Sequence, residues 1–372
     1  GRVINAIEVL GVVILDYMKL YKKFSFTNQE SYSLNNISHV ELGEKKLDYS
    51  DYDGLYDLYK KNYQLFIEYN IKDVQLVERL EQKLGLLQLV FAMTYDAKVN
   101  YIDTLATVRI WDVIIHNYLI DKHIVVPEIK HKKHTHGIVG GYVKEPTPGM
   151  YNWVVSFDLN SLYPHLIMQY NISPETFIDQ IDQFKDVCMG KFDFETKKYI
   201  VQPDGERCVD IVLDGFVDEA KLKILKNQNA SFSGSGCLFN KSSQGFLPYL
   251  MEKMYDDRTE YKKKMKKAKK ELEAIKKNKD KHQNYVELVR QKEAEISRNH
   301  NMQLAKKIQL NSAYGALSNQ YFRWYDTQLA ESITVSGQLS IRFISNKINA
   351  YFNKLLKTVD VDYIIAIDTD ST

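Results

Sequence analysis

The sequence predicts a mixed α/β protein, and three observations carry that expectation. Two short apolar runs, Trp153 to Phe157 and Ile364 to Ile367, read as buried strands, and each is followed by an aspartate. Two long stretches, LPYLMEKMYDDRTEYKKKMKKAKKELEAIKK and YVELVRQKEAEISRNHNMQLAKKIQLNSAYG, read as helices separated by the polar break NKDKHQN, an αα-hairpin with a basic stalk. Between Tyr63 and Tyr95 the residues Phe66, Tyr69, Leu76, Leu80 and Leu84 recur at helical spacing. With 372 residues, the chain has room for two or three domains.

Hydrophobic residues make up 44% and charged residues 26%, as in an ordinary soluble globular protein. The net charge of +2 gives no bias toward a polyanion, so the placement of charge has to carry any such argument. Cys188, Cys208 and Cys237 are widely spaced and odd in number. They form neither a metal pattern nor a disulfide framework, which fits a reducing compartment. No apolar run approaches the roughly 20 residues of a membrane span, and no membrane partner is expected. There is no secretory signal, and a first residue that is Gly rather than Met reads as part of a larger protein.

Residues 4–19 are mixed apolar and fit helix or strand; residues 24–60 are polar and Tyr-rich, with turn hints at Ser31, Ser33, Asn35 and Asn36. Asp73 falls inside the stripe of the helix that starts at Tyr63. A carboxylate there needs a Lys or Arg partner, a bound metal or a half-covered face. Residues 96–129 hold a second amphipathic stretch, IWDVIIHNYLIDKH. In the loop that follows, His131, His134 and His136 lack Cys or carboxylate neighbours, and Lys132 and Lys133 repel a cation, which argues against a metal site. Gly140 and Gly141 let another backbone, DNA included, approach closely. Past Asp158 a helix is expected from Ser161 to Tyr170, capped by Asn160 or Ser161. Residues 177–245 contain short strand-like pieces such as IVLDGF. A last helix runs through Ile333, Ile341, Ile344 and Ile348.

Asp368 and Asp370 stand two residues apart, so an extended chain turns both carboxylates to one side, where they repel unless a cation intervenes. An Asp-rich turn is the plain alternative. Arg258 and Lys262 are i, i+4 neighbours on the first long helix, and Lys307, Asn311 and Tyr314 share a face of the second. Antiparallel packing of the pair gathers three cations, an amide and a ring. Lys276 to Lys281, at the far end, read as a solvated arm. Carboxylates at strand ends beside a basic hairpin suggest two metal ions against a triphosphate. In that arrangement Asp158 and Asp370 flank the ions, Asp368 completes the set, and Arg258, Lys262 and Lys307 neutralise the β- and γ-phosphates. Tyr163 would lie beneath the sugar.

These residues resemble the motifs of family B (α-like) DNA polymerases, with phrases most similar to the branch from T-even-type tailed phages. DLNSLYPH is similar to motif A through Asp158, Ser161, Leu162, Tyr163 and Pro164. KIQLNSAYG is similar to motif B through Lys307, Asn311, Ser312, Tyr314 and Gly315, and DTDS at 368–371 to motif C. YNIKD, with Tyr69 and Asp73, resembles the third exonuclease motif. The resemblance implies an RNase H-like exonuclease part at 1–86 and a segment of the N-terminal domain at 87–129. It implies a palm with an antiparallel sheet at 130–244 and 320–372, and αα-hairpin fingers at 245–319. It implies that Asp158 and Asp370 bind two Mg²⁺ ions, replaceable by Mn²⁺, and that Leu159 lends its carbonyl. It further implies that Ser161, Leu162 and Tyr163 receive triphosphate and ribose, with the Tyr163 ring excluding a 2′-hydroxyl. Arg258, Lys262, Lys307 and Asn311 are expected to grip the triphosphate, and Tyr314 to lie near the nascent base pair. In the exonuclease, Asp73 is expected to hold a metal and Tyr69 to orient water.

Implied partners are primer–template DNA, deoxynucleoside triphosphates and a sliding clamp reached through a C-terminal part beyond this sequence. The implied place of work is the cytoplasm of a bacterial host. Isolated, the chain is expected to be inactive in both reactions. His165 replaces a Ser of motif A, Ala366 and Ile367 stand where Tyr and Gly are common, and Ile138 replaces the Tyr of a Y-x-G-G element. Two rivals remain: an RNA-synthesising or reverse-transcribing palm enzyme, and a non-catalytic DNA-binding scaffold.

Overall fold

A computed structural model of the chain describes residues 10–25, 27–128, 137–180, 192–193, 198–199, 230–278 and 284–372. His131, His134 and His136, Cys188 and Cys208, the IVLDGF piece and most of the polar break lie outside the described residues. Packing groups the chain into two units, Gly1–Val113 with Ala268–Ala305, and Ile114–Lys267 with Lys306–Thr372.

The first unit is helical: α1 (Tyr17–Phe24), α2 (Leu34–Leu42), α3 (Gly54–Lys61), α4 (Tyr63–Leu84) and α5 (Leu86–Ala97) precede the start of α6 (Thr107–Asp121). Helix α4 begins where the Asn62 side chain accepts the Leu65 N–H at 3.1 Å. It ends at Gly85, whose φ of 65° lets its N–H close on the Glu81 carbonyl. The helical period read from Tyr63 to Tyr95 is therefore two helices. Leu76, Leu80, Leu89, Val90 and Met93 form their buried face. Helices α2 and α3 occupy the polar stretch that the sequence left unplaced. Each buries one large apolar residue, Ile37 or Leu58, which is too sparse a stripe to read as a period.

The two long helices are present as α8 (Phe246–Lys277) and α9 (Tyr285–Leu317). Ion pairs mark their antiparallel register. Lys276 pairs with Glu293 at 3.1 Å and Lys292 with Glu271 at 2.6 Å in the first unit. Lys306 pairs with Asp257 at 2.9 Å in the second.

The second unit joins α7 (Leu162–Tyr170) and α10 (Thr327–Leu356) to small antiparallel ladders. Strand β1 (Val143–Lys144) pairs with β7 (Ile367–Asp368), and β2 (Phe177–Gln180), β6 (Cys237–Asn240) and β5 (Ala230–Phe232) form a sheet in the order β2-β6-β5. A further ladder joins β3 (Phe192–Asp193) to β4 (Lys198–Tyr199). The tip of the β5–β6 hairpin meets α10 through a buried polar seam. Ser235 and Ser332 hydroxyls lie 2.8 Å apart, and the Gly234 N–H donates to Ser336 Oγ at 2.9 Å. Ile341, Ile364 and Ile367 form a small core under β7. Among the described residues no helix is long and apolar enough to cross a membrane.

Three local expectations need correction. Residues 153–157 are not a buried strand: Trp153 is 98% exposed and Phe157 50%. Their ladder is only the short stretch in which Phe157 and Leu159 bond Thr372 and Asp370. The terminal strand is shorter than read, covering Ile367–Asp368, because pairing with β1 extends over two residues alone. Ser161 does precede α7, but in a left-handed conformation with φ 55° and no side-chain cap bond, so the local capping argument does not explain it.

Candidate active site

The chain reverses after β7 in a tight turn. Asp368 and Ser371 exchange backbone hydrogen bonds of 3.0 Å in both directions, and Thr369 takes a left-handed φ of 56°. The extended geometry that would align Asp368 with Asp370 is therefore absent, and the turn reading describes the backbone. The turn nevertheless brings the two distant acidic stretches together. Asp158 forms an isolated bridge with Ser371, and the Leu159 N–H donates to the Asp370 carbonyl at 2.7 Å. Burial pushes the Asp370 carboxyl above its ordinary value, and the charges of Asp158 and then Asp368 push the same way, against a backbone hydrogen bond within the turn.

The turn is seated on the Gly140–Gly141 loop. Thr369 N–H donates to the Tyr142 carbonyl at 2.9 Å. A Cβ on Gly141 would stand 2.7 Å from Thr369 Oγ1, a distance no side chain tolerates. The glycine expected to admit a DNA backbone thus also admits this threonine, and the Asp368-to-Ser371 turn depends on it.

Beside the acids lies a cluster rich in cations and rings. Arg258 is 8% exposed, and its Nη1 donates to Ser161 Oγ at 3.3 Å, while its buried Nε has no hydrogen-bond partner among the described residues. Burial lowers its pKa, with the neighbouring Tyr255 opposing. Lys262 is lowered by burial first and then by the charges of Arg258, Lys266 and Lys307, which shows that these cations crowd one another. Tyr163 and Tyr314 rings meet with centroids 5.0 Å apart. The Tyr163 hydroxyl is pushed up to about 12 by burial, then by Tyr314, Asp370 and Asp368. Leu162 is buried at the start of α7, and Asn311 is exposed on α9.

Sequence reasoning missed three parts of this cluster. Lys306 is buried against Asp257, and only its place beside Lys307 could have signalled it. Asn160 Nδ2 donates to the Tyr255 hydroxyl at 3.0 Å, and His165 packs edge-on against the same ring. Asp257→Asn is expected to destabilise the chain by about 1 kcal/mol, since it removes one charged partner of the buried Lys306 while the Asp257 side chain itself is 34% exposed. Thermal or urea unfolding measures this. A loss below about 0.5 kcal/mol would class the pair with weak surface bridges.

The other predicted residues lie in the first unit. Lys46 Nζ reaches Asp73 Oδ2 at 2.7 Å and the Tyr69 hydroxyl at 2.8 Å. Burial opposes the Lys46 charge, but the hydrogen bonds to Asp73 and Tyr69 outweigh it and hold its pKa above the usual lysine value. The other carboxylate oxygen, Asp73 Oδ1, is buried without a partner among the described residues. Of the readings left open for Asp73, the lysine partner is the one observed. The orphaned oxygen leaves an acceptor for a cation as well.

Metal fit rests on donor chemistry. Among the described residues no group of three His, Cys, Asp or Glu side chains is arranged as a ready cage. Mg²⁺ needs less than a cage, since one or two carboxylates complete their shell with water and substrate phosphate. The carboxyl of Asp370, with the charges of Asp158 and Asp368 bearing on it, is a hard oxygen donor of the kind a divalent ion suits.

The site sets acids of one turn beside cations of a helix pair, groups whose chemistry suits divalent ions and phosphates. Comparison with known proteins narrows this. A sequence profile of DNA polymerase family B matches residues 100–289. The DNA-directed DNA polymerase of Enterobacteria phage T4 is 35% identical across 97% of this chain, and that of Escherichia phage RB69 is 32% identical across 98%. A DNA polymerase of Pyrococcus glycovorans is 29% identical across 61% of it. The chain belongs to DNA polymerase family B. It spans 40% of the length of each phage relative and 21% of the Pyrococcus one.

Proposed function

We propose that this chain carries the nucleotidyl-transfer site of a template-directed DNA polymerase, acting on primer–template DNA and deoxynucleoside triphosphates. The observation that carries the reading is the meeting of Asp158 with the Asp368–Ser371 turn, backbone to backbone, from opposite ends of the second unit's sequence. Asp158, Asp370 and the Leu159 carbonyl would hold two Mg²⁺ ions, or Mn²⁺, with Asp368 beside them. Bound there, such ions stabilise the attacking and leaving oxygens of an in-line displacement. The chain's own groups do the rest. Arg258, Lys262, Lys307 and Asn311 bind and orient the triphosphate, as the unpartnered Arg258 Nε supports. Ser161 and Leu162 line its approach. The Tyr163 ring lies beneath the sugar and rejects a 2′-hydroxyl, and Tyr314 borders the new base pair.

The same reading makes residues 130–244 and 320–372 the palm and 245–319 the fingers, and gives residues 1–86 to a 3′–5′ exonuclease with Tyr69 and Asp73. Asp73 Oδ1 supports a metal there. The segment 87–129 belongs to the N-terminal domain, Gly140 and Gly141 border the DNA, and a sliding clamp and a bacterial cytoplasm complete the setting.

The sugar assignment is tested by Tyr163→Ala in the full-length enzyme. Ribonucleotide incorporation relative to deoxyribonucleotide should rise by about 10²-fold or more, because a hydroxyl is rejected only while the ring blocks it. Unchanged discrimination would count against the assignment of Tyr163 as the gate.

A further inference from the structure

Gly337 lies in α10 where α7 packs against it. A Cβ there would sit 3.2 Å from Tyr163 Cε1, with Leu162 Cδ2 at 3.5 Å and Leu166 Cδ1 at 3.6 Å. The Tyr163 ring thus rests on helix backbone, in space that any other residue would begin to fill. Helix α10 has little freedom to back away. On its hairpin side, a Cβ on Gly234 would stand 3.0 Å from the Ser336 nitrogen, and the Gly234 N–H bonds Ser336 Oγ. The next residue, Gln338, is 5% exposed and donates to the Gly140 carbonyl at 2.6 Å. A group added at 337 therefore acts on the ring, whose neighbour on α9 is Tyr314.

We propose that Gly337 is a positioning residue that sets how far the Tyr163 ring stands out from α10, and so how much room remains for the sugar of the incoming nucleotide. The inference rests on the reading of Tyr163 as the ring beneath that sugar. A methyl group at 337 moves the ring outward by a few tenths of an ångström, which narrows the sugar site instead of opening it. Gly337→Ala and Tyr163→Ala thus act in opposite directions on the same space.

The test is a double-mutant cycle in the full-length enzyme, with primer extension measured on deoxyribo- and ribonucleotides for wild type, Gly337→Ala, Tyr163→Ala and the double variant. Gly337→Ala is expected to raise KM for deoxynucleotides by about 5- to 10-fold, with kcat within about twofold and sugar discrimination equal or stricter. With Tyr163→Ala already present, the same change should alter KM by less than about twofold, because no ring remains to be moved. Alanine favours a helix interior over glycine, so the thermal midpoint should hold or rise. Equal KM effects in both backgrounds, with or without a lowered midpoint, mark general packing damage and overturn the inference. So does an unchanged KM in Gly337→Ala when Tyr163→Ala does relax sugar selection. If Tyr163→Ala leaves sugar selection intact, the sugar reading itself fails and the inference falls with it.

Discussion

In the full-length enzyme, Asp158→Asn is expected to lower primer extension by about 10³-fold or more while leaving the fold and DNA binding in place. The change is isosteric and removes only charge. The Asp158 side chain lies at the surface and its backbone makes the bridge to Ser371, so the local pairing does not depend on the carboxylate. What is lost is half of the anionic pair facing the proposed ions, at a point where each 1.4 kcal/mol of transition-state stabilisation is worth tenfold in rate. Asp370→Asn should behave alike, and should in addition relieve a carboxylate that burial and its acidic neighbours already strain toward the neutral form. Single-turnover extension with Mg²⁺, alongside DNA binding and thermal unfolding, measures all three properties. A non-catalytic scaffold would tolerate either change. A rate within tenfold of wild type would therefore sink the assignment of these acids and favour that rival.

Gly141→Ala should be the next most damaging change, at about 10²-fold in rate, through geometry alone. The new Cβ would meet Thr369 Oγ1 at 2.7 Å, Cγ2 at 2.9 Å and Cβ at 3.2 Å, all on the residue between the two aspartates. The loop is held by Gln338 and bonded to the turn through the Tyr142 carbonyl, so the clash falls on Thr369 and is expected to shift the turn that carries it. The remedy is specific. Thr369→Gly removes all three atoms in the clash and suits the left-handed φ of 56°. In the double variant most of the rate should return, with Thr369→Gly alone as the control. Damage that persists in the double variant would mean that Gly141 serves something other than this turn, DNA contact among the candidates.

What was legible in the sequence follows physical range. The long helices α8, α9 and α10 were readable because each is a run of about thirty residues rich in helix formers. Asp158, Asp368 and Asp370 were readable as a pattern of residue types beside apolar runs. Their meeting was expected from the strand-end acids and the family resemblance, but the backbone that makes it was not, because it depends on a left-handed Thr369 and on a ladder between segments about two hundred residues apart. The run WVVSF carries every local mark of a buried strand, yet burial is conferred by neighbours, and Trp153 has almost none here. Lys46 illustrates the same limit: its bond to Asp73 spans 27 residues, and no local spacing announces it. Gly337 was unremarkable in sequence, since a lone glycine in a helix reads as a small local cost rather than as a seat for a ring.

The serine seam between the β5–β6 tip and α10 carries a mechanical consequence. Close-packed apolar helices can ratchet past one another, because dispersion contacts have no preferred direction. The seam forbids this. Hydroxyls at 332 and 336 are spaced to match Ser235 and Gly234, and a one-residue slide would break both bonds. Helix α10 is therefore an anvil rather than a lever for the hairpin tip seated on it.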